Sequence, residues 1–276
     1  MAKNKKPTEQ SKLIGEHPTT GIFFDWLECE DTPSTNEKKH RKLTNKGIAR
    51  SSLVSHLSNL IIKHHATPAR LAKIEKKKNI LERHDFISYM KGKIPVPIAN
   101  TKTQKGNLGE IILAEYLSSS TGLELLVYKL HYNPNVEQSM KGDDILLFDK
   151  TDIQSKVIMG EAKFRAKSNK QTLDNIVSSL SKKNLPISLT FISDRLEEMG
   201  ESDLAEEIDE LISKLHNSKT PITYTGFYYS DINAHKVIEK HLKSDNKNLV
   251  VVSYSEENPA QLVTDCFNEA KKIIME

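Results

Sequence analysis

A chain of 276 residues, 37% of them hydrophobic, is long enough to bury one large core, or one domain with an appendage. No apolar run approaches the roughly 20 residues that cross a bilayer, and the basic start Met-Ala-Lys-Asn-Lys-Lys has no apolar stretch behind it, so no membrane span and no secretory leader are expected. Cys29 and Cys266 are too few and too distant for a disulfide framework or a zinc site, and the expected location is the cytoplasm. The net charge of +3 is unevenly placed: residues 1–100 carry 19 Lys+Arg against 10 Asp+Glu, or +9, and the remainder carries 21 against 27, or −6.

In chain order, residues 1–20 are polar and are expected to form a disordered tail. Gly21–Leu27 is apolar enough for a strand, followed by a Thr/Pro/Ser/Asn loop. From Thr44 to about Tyr89 the spacing is helical, with Leu53, Leu57, Leu60 and Ile61 on one stripe, and Pro68 opens a second helix at a position helix starts tolerate. His64 and His65 point apart on this basic helix and are expected in solvent. Residues 21–98 thus read as a basic, mainly helical N-terminal region, through Lys38-Lys39-His40-Arg41-Lys42, Arg70, Lys73, Lys76-Lys77-Lys78 and Lys91. Such charge suits a polyanion, because each neutralised phosphate releases counterions, and Lys76, Lys77 and Lys78 are the candidate DNA contacts. A solvated helix face or a dock for an acidic partner fits the same charge. The prolines of Lys93-Ile94-Pro95-Val96-Pro97 remove donors and impose extended geometry, which sets the boundary of a second domain over 99–276.

After that boundary the elements alternate, as in an α/β fold. The reading is a helix at 105–118, a strand at 123–130, strands near 144–149 and 156–163, and a helix near 171–182. It continues with a strand at 187–192, an acidic helix near 199–216, a strand at 222–229, a helix at 231–243, a strand at 249–254 and a helix at 259–274. Tyr224, Phe227, Tyr228 and Tyr229 could stack on bases, but a buried strand explains them more simply. The chain has no Gly-x-x-x-x-Gly-Lys-Ser/Thr, no His-Glu-x-x-His and no Gly-x-Ser-x-Gly.

The richest stretch is Lys141-Gly142-Asp143-Asp144-Ile145-Leu146-Leu147-Phe148, followed by Val157-Ile158-Met159-Gly160-Glu161-Ala162-Lys163. It reads as two short buried strands with an Asp at the mouth of the first and a Glu-x-Lys on the second. Unpaired buried charge costs several kcal/mol, of order, so charges on an apolar hairpin call for a function. Residues two apart on a strand share a face, and Asp144 could reach Glu161 and Lys163 across the hairpin. Glu-x-Lys also occurs at Glu37/Lys39, Glu75/Lys77 and Glu269/Lys271, but only Glu161 follows an apolar β run with an Asp-led strand before it. Glu110 lies near the start of an apolar helix, where the helix dipole favours a carboxylate in any case. Two carboxylates beside an ammonium are what a hard divalent cation and an attacking water require for phosphodiester cleavage. A structural ion pair is the competing account of Glu161 and Lys163.

Gly109-Glu110, Gly142-Asp143-Asp144 and Gly160-Glu161-Ala162-Lys163 resemble the motifs of the PD-(D/E)xK nuclease superfamily over about residues 105–195. More narrowly, Gly106-Asn107-Leu108-Gly109-Glu110, the Gly-Glu-Ala-Lys and the helix from Asp174 to Leu180 are similar to the HamA family, effectors of Hachiman anti-phage defence. The resemblance implies a restriction-endonuclease-like mixed sheet flanked by helices, and a metal-dependent deoxyribonuclease. Asp144 and Glu161 would hold Mg²⁺ or Mn²⁺ with the Ala162 carbonyl, and Glu110 would complete the shell, bind a second ion or act through water. The superfamily's first carboxylate directly precedes the apolar run, which favours Asp144, with Asp143 as the alternative. Lys163 would position the attacking water, and Lys170 or Gln171 would touch the same phosphate. The resemblance also implies a superfamily 2 helicase, HamB, as partner; residues 21–98 or the acidic helix near 199–216 are the expected dock. The competing classes are a catalytically inactive nuclease fold serving as a DNA-binding or adaptor module, and a hydrolase of small phosphoesters.

Overall fold

The computed structural model describes residues 6–180, 186–217 and 220–276. Two units emerge, each built from separated stretches of chain: residues 1–47, 112–127 and 142–259 form one, and residues 48–111, 128–141 and 260–276 the other.

The first unit carries a six-stranded sheet: β1 (Leu27–Asp31), β2 (His40–Asn45), β3 (Ile145–Phe148), β4 (Val157–Phe164), β5 (Ile222–Ser230) and β6 (Leu249–Ser255). The spatial order is β1-β2-β6-β5-β4-β3. The four inner strands β2, β6, β5 and β4 run parallel, and each edge is closed by an antiparallel partner. Parallel strands are covered on both faces and read as continuous apolar runs; every residue of β5 is buried accordingly. Register fixes what each face carries, because paired residues point the same way. One face holds Glu161, Gly226, Val251 and His40 in one row and Lys163, Tyr228, Ser253 and Lys42 in the next. The opposite face holds an aromatic ladder, Phe164–Tyr229–Tyr254–Trp26, with successive ring centroids 5.0, 5.2 and 5.0 Å apart.

Helices of this unit are α1 (Glu9–Ile14), α2 (Gly21–Trp26), α7 (Lys170–Ser179), α8 (Leu189–Met199), α9 (Ser202–His216) and α10 (Ala234–His241); α6 (Thr101–Thr121) contributes its C-terminal half. α7 covers the polar-rowed face. A Cβ on Gly226 would lie 2.3 Å from Ile176 Cγ2, so only glycine lets the helix approach this close. On the other face Leu113 of α6 packs over Gly160.

The second unit is helical: α3 (Arg50–His65), α4 (Pro68–Ile80), α5 (Arg83–Met90), the N-terminal half of α6 and α11 (Pro259–Met275), with a 3-10 turn at Lys129–Tyr132. Ser58 Oγ donates to the Cys266 carbonyl at 2.8 Å, tying α3 to α11. Glu137 accepts backbone N–H groups of Ile98, Ala99 and Asn100 at 2.7–3.2 Å, ahead of α6.

Several expectations are corrected. Residues 6–20 are not a tail: α1 buries Gln10, Ser11 and Ile14, and Gln10 Nε2 donates to the carbonyls of Thr32 and His40. Gly21–Trp26 is a helix, with Phe23 and Trp26 as its buried face. The basic run around His40 is an interior strand, not a solvated segment, and His40 and Arg41 are 0% and 1% exposed. His64 and His65 are buried; His64 stands edge-on to Tyr128 and His65 bonds the Ile61 carbonyl and Asn107. At 123–130 the expected strand shrinks to a single bridge, Glu124 with Phe148. The strand expected at 187–192 is instead the N-cap Ser188 and the first turn of α8 from Leu189. No described helix is long and apolar enough to cross a membrane.

Candidate active site

The loop entering β3 splits its two aspartates. Asp143 is buried, and its Oδ2 accepts the N–H groups of Ile187 at 2.7 Å and Ser188 at 2.8 Å. Its own N–H donates to Ser188 Oγ at 2.8 Å. Asp143 therefore anchors the start of α8, where unsatisfied N–H groups favour a carboxylate. Gly142, at φ +118°, brings the loop so close that a Cβ would stand 2.6 Å from Ser188 Oγ.

Asp144 turns the other way. Its Oδ2 accepts the Ala162 N–H at 2.9 Å, carrying the β3–β4 ladder one step beyond the Ile145–Gly160 pair. The carboxylate thus rests against the backbone between Glu161 and Lys163. Those two alternate with buried Ala162, share a face, and form an ion pair with side chains 18% and 33% exposed. One carboxylate is tied to the strand backbone while a second, with its ammonium, stays within reach of solvent.

Neighbouring elements fix this edge. Tyr228 is the register partner of Lys163. Its hydroxyl accepts the Asn169 N–H at 2.7 Å and donates to the Asn169 carbonyl at 3.1 Å. Burial raises this hydroxyl above the ordinary tyrosine range, so it stays a donor. Asn169 in turn caps α7, its Oδ1 accepting the Thr172 N–H at 2.9 Å. The first turn of α7 is thereby seated on Lys163's neighbour. Lys170 and Gln171 are exposed on that turn, where Lys170 Nζ meets Asp174 at 2.6 Å and Gln171 Nε2 meets Asn175 at 3.1 Å. The sequence marks Tyr228 only as a buried-strand aromatic and gives no sign of the roles of Gly226 and Ser188. Asn169 before a helical pattern was an available cap signal; the others depend on register and chain crossing.

In the helical unit, Glu110 and Lys129 form an ion pair at 2.9 Å, with side chains 16% and 17% exposed. Lys76, Lys77 and Lys78 lie on α4: Lys78 Nζ is 3.5 Å from Glu75, and Lys77 sits over the Tyr89 ring at 5.8 Å. Among the described residues, no three His, Cys, Asp or Glu side chains converge to hold a metal ion. The oxygen donors Asp144 and Glu161 still fit a small hard cation, since Mg²⁺ is commonly held by one or two carboxylates and completed by water and substrate phosphate.

Two comparisons bear on this site. A family model described as HamA matches residues 21–270. A curated protein of Bacillus cereus, "Hachiman protein HamA", is 39% identical over 270 residues, covering 98% of this chain and 98% of its own length.

Proposed function

The chain belongs to the HamA family, and from that premise we propose that it is a metal-dependent deoxyribonuclease, the effector of a Hachiman anti-phage defence system restrained by a superfamily 2 helicase. One observation carries the enzymatic part: Asp144 reaches across the hairpin to the Glu161–Lys163 strand, where the acid–lysine pair keeps access to solvent. The order of helix, antiparallel β3–β4, α7 and parallel β5 supports a PD-(D/E)xK core, with its remaining strand reduced to the Glu124–Phe148 bridge.

Asp144 and Glu161 would hold Mg²⁺ or Mn²⁺. Bound there, the ion supplies a bound water of lowered pKa and polarises the scissile phosphate. The Lys163 ammonium stands beside Glu161, where it orients the attacking water and offsets charge growing on the phosphate. Lys170 and Gln171 offer donors to the neighbouring phosphate. Glu110 enters the proposal as a second-unit carboxylate whose contribution substitution decides.

The test is Mg²⁺-dependent cleavage of plasmid DNA by the wild type, Glu161→Ala, Lys163→Ala and Glu110→Ala, each with and without a Hachiman superfamily 2 helicase. Loss of cleavage on the order of 10²–10³-fold in folded Glu161→Ala and Lys163→Ala supports the nuclease. Dependence on the helicase supports the Hachiman role. A wild type that binds DNA and never cuts it replaces the nuclease with a DNA clamp.

A further inference from the structure

Helix α4 has thirteen residues and buries none of them. Isolated helices of this length are marginal in water, and most helical stability in proteins comes from packing an apolar face. Here the ends add to a shallow inner side and to Lys77 lying over the Tyr89 ring of α5. Thr67 Oγ1 caps the Arg70 N–H at 3.1 Å, Pro68 opens the first turn, and Arg70 Nη2 reaches the Lys93 carbonyl at 3.2 Å. An exposed helix held this way has a face left for a partner.

The helix is two-sided in exposure. Leu71, Ile74 and Lys78 are half-buried and lie toward one side, Ala69, Ala72, Lys73, Lys76, Lys77 and Ile80 are exposed toward the other, and Glu75 is exposed outside that arc. At about 100° per residue, Lys73, Lys76 and Lys77 fall within an arc of roughly 100°, with Arg70 at its margin. The one carboxylate of the helix, Glu75, projects some 160–200° from Lys73 and Lys77 and pairs with Lys78 instead. Lys78 therefore belongs to the inner side, and Lys73 takes its place among the outward cations.

We propose that the outward face of α4, Lys73, Lys76 and Lys77, docks on the phosphate backbone of duplex DNA, a partner class that rests on the nuclease reading above. Charge complementarity is one argument: the face carries cations and no carboxylate. Side-chain size is the second. Helices that dock on proteins present large apolar anchors at i, i+3, i+4 and i+7. Around these lysines stand Ala69 and Ala72, which let a charged backbone approach, and a single large apolar residue, Ile80, at the helix end. Contacts of this kind carry no sequence information; they hold the substrate and set its salt dependence.

The experiment measures duplex DNA affinity against salt concentration without Mg²⁺, using full-length protein carrying Glu161→Ala so that nothing is cut. Lys73→Gln, Lys76→Gln and Lys77→Gln are introduced together, and Lys236→Gln, Lys240→Gln and Lys243→Gln form a charge-matched control. The α4 triple is expected to lower the slope of log K against log salt by about 2 to 3, with the melting temperature unchanged. The control triple leaves the slope as it was. An equal fall in both would mean diffuse positive charge and overturn the assignment. No change in the α4 triple, or no DNA binding by the parent, would overturn it and turn α4 toward an acidic protein face. Absence of cleavage in the nuclease assay leaves these slopes intact, so the two readings fail separately.

Discussion

The two edges of the sheet each carry an acid–cation set, and they differ in what surrounds it. On the β1–β2 edge Arg41 is saturated: Nε and Nη2 hold Asp31 at 2.7 and 2.9 Å, Nη2 also meets Ser11 Oγ, and Nη1 meets the Gly15 carbonyl and Tyr116 hydroxyl. All five guanidinium N–H groups are used. Burial alone would raise the Asp31 carboxyl, but Arg41, Thr8 and Ser11 hold it below the usual range. These side chains are 1% and 9% exposed, against 33% and 18% for Lys163 and Glu161. A saturated, nearly buried pair locks α1 and β1 to the sheet and leaves no guanidinium N–H free for a substrate. Access to solvent, rather than charge, separates the edge proposed to do chemistry from the structural one.

The sharpest way to break this contrast is to remove the cation from each edge. Arg41→Ala leaves Asp31 buried and uncompensated, and should cost about 3–5 kcal/mol. Lys163→Ala, at a partly exposed pair, should cost about 1 kcal/mol or less while removing cleavage. Urea unfolding of the two variants decides it. Equal losses would make Glu161–Lys163 a second structural pair.

Within the proposed chemical edge the aspartates divide the same way. Asp143→Ala exposes two unsatisfied N–H groups at the start of α8 and should lower stability by about 1–3 kcal/mol, with weaker cleavage only in proportion to unfolding. Asp144→Ala should keep its stability within about 1 kcal/mol and lose cleavage. The reverse ranking, read by paired melting and cleavage assays, would make Asp143 the ligand.

The sequence exposed the proposed chemical edge more readily than the structural one. Asp144 and Glu161-Ala162-Lys163 interrupt apolar runs, and charge at such places is conspicuous. β5, β6, α7, α9, α10 and α11 were also legible, because their periods are long and uninterrupted. Arg41 hid inside a basic run, since its neutralising partner stands ten residues upstream and becomes adjacent only when β1 and β2 pair. Ile187-Ser188-Leu189-Thr190-Phe191-Ile192 alternates like a strand; Asp143, more than forty residues away in sequence, helps fix its N-terminal end as a helix start. Local period loses to a tertiary cap there. Gly226 and Tyr228 looked like ordinary strand residues, and only the crossing of α7 over β5 shows what they do.

Between the two edges, on the face shared with Lys163, lies a third polar set that should respond to pH. Ser253 Oγ stands 2.6 Å from both His40 Nε2 and His235 Nδ1. One hydroxyl hydrogen can serve one ring, so the other ring must donate to the oxygen, and a neutral pair satisfies the three atoms in contact. Burial, then the neighbouring His235, Lys42 and Lys38, lowers His40 to about 3, outweighing a weaker opposing pull from Asp31; burial and Lys42 lower His235 to about 4, against Glu239 and Glu30. Unfolded imidazoles titrate near 6.5. Between about 6.5 and the folded values the unfolded state binds protons that the folded state refuses, so stability falls as pH falls. Above about pH 7 both states are neutral and the effect vanishes. For buried His40 the limiting slope is about 1.4 kcal/mol per pH unit. His40→Gln should flatten the stability curve between about pH 6 and pH 4 by one proton's worth, measured by urea unfolding at stepped pH. An unchanged slope would mean that His40 already carries its proton in the folded protein, and would place a cation, rather than a neutral relay, midway between the two edges.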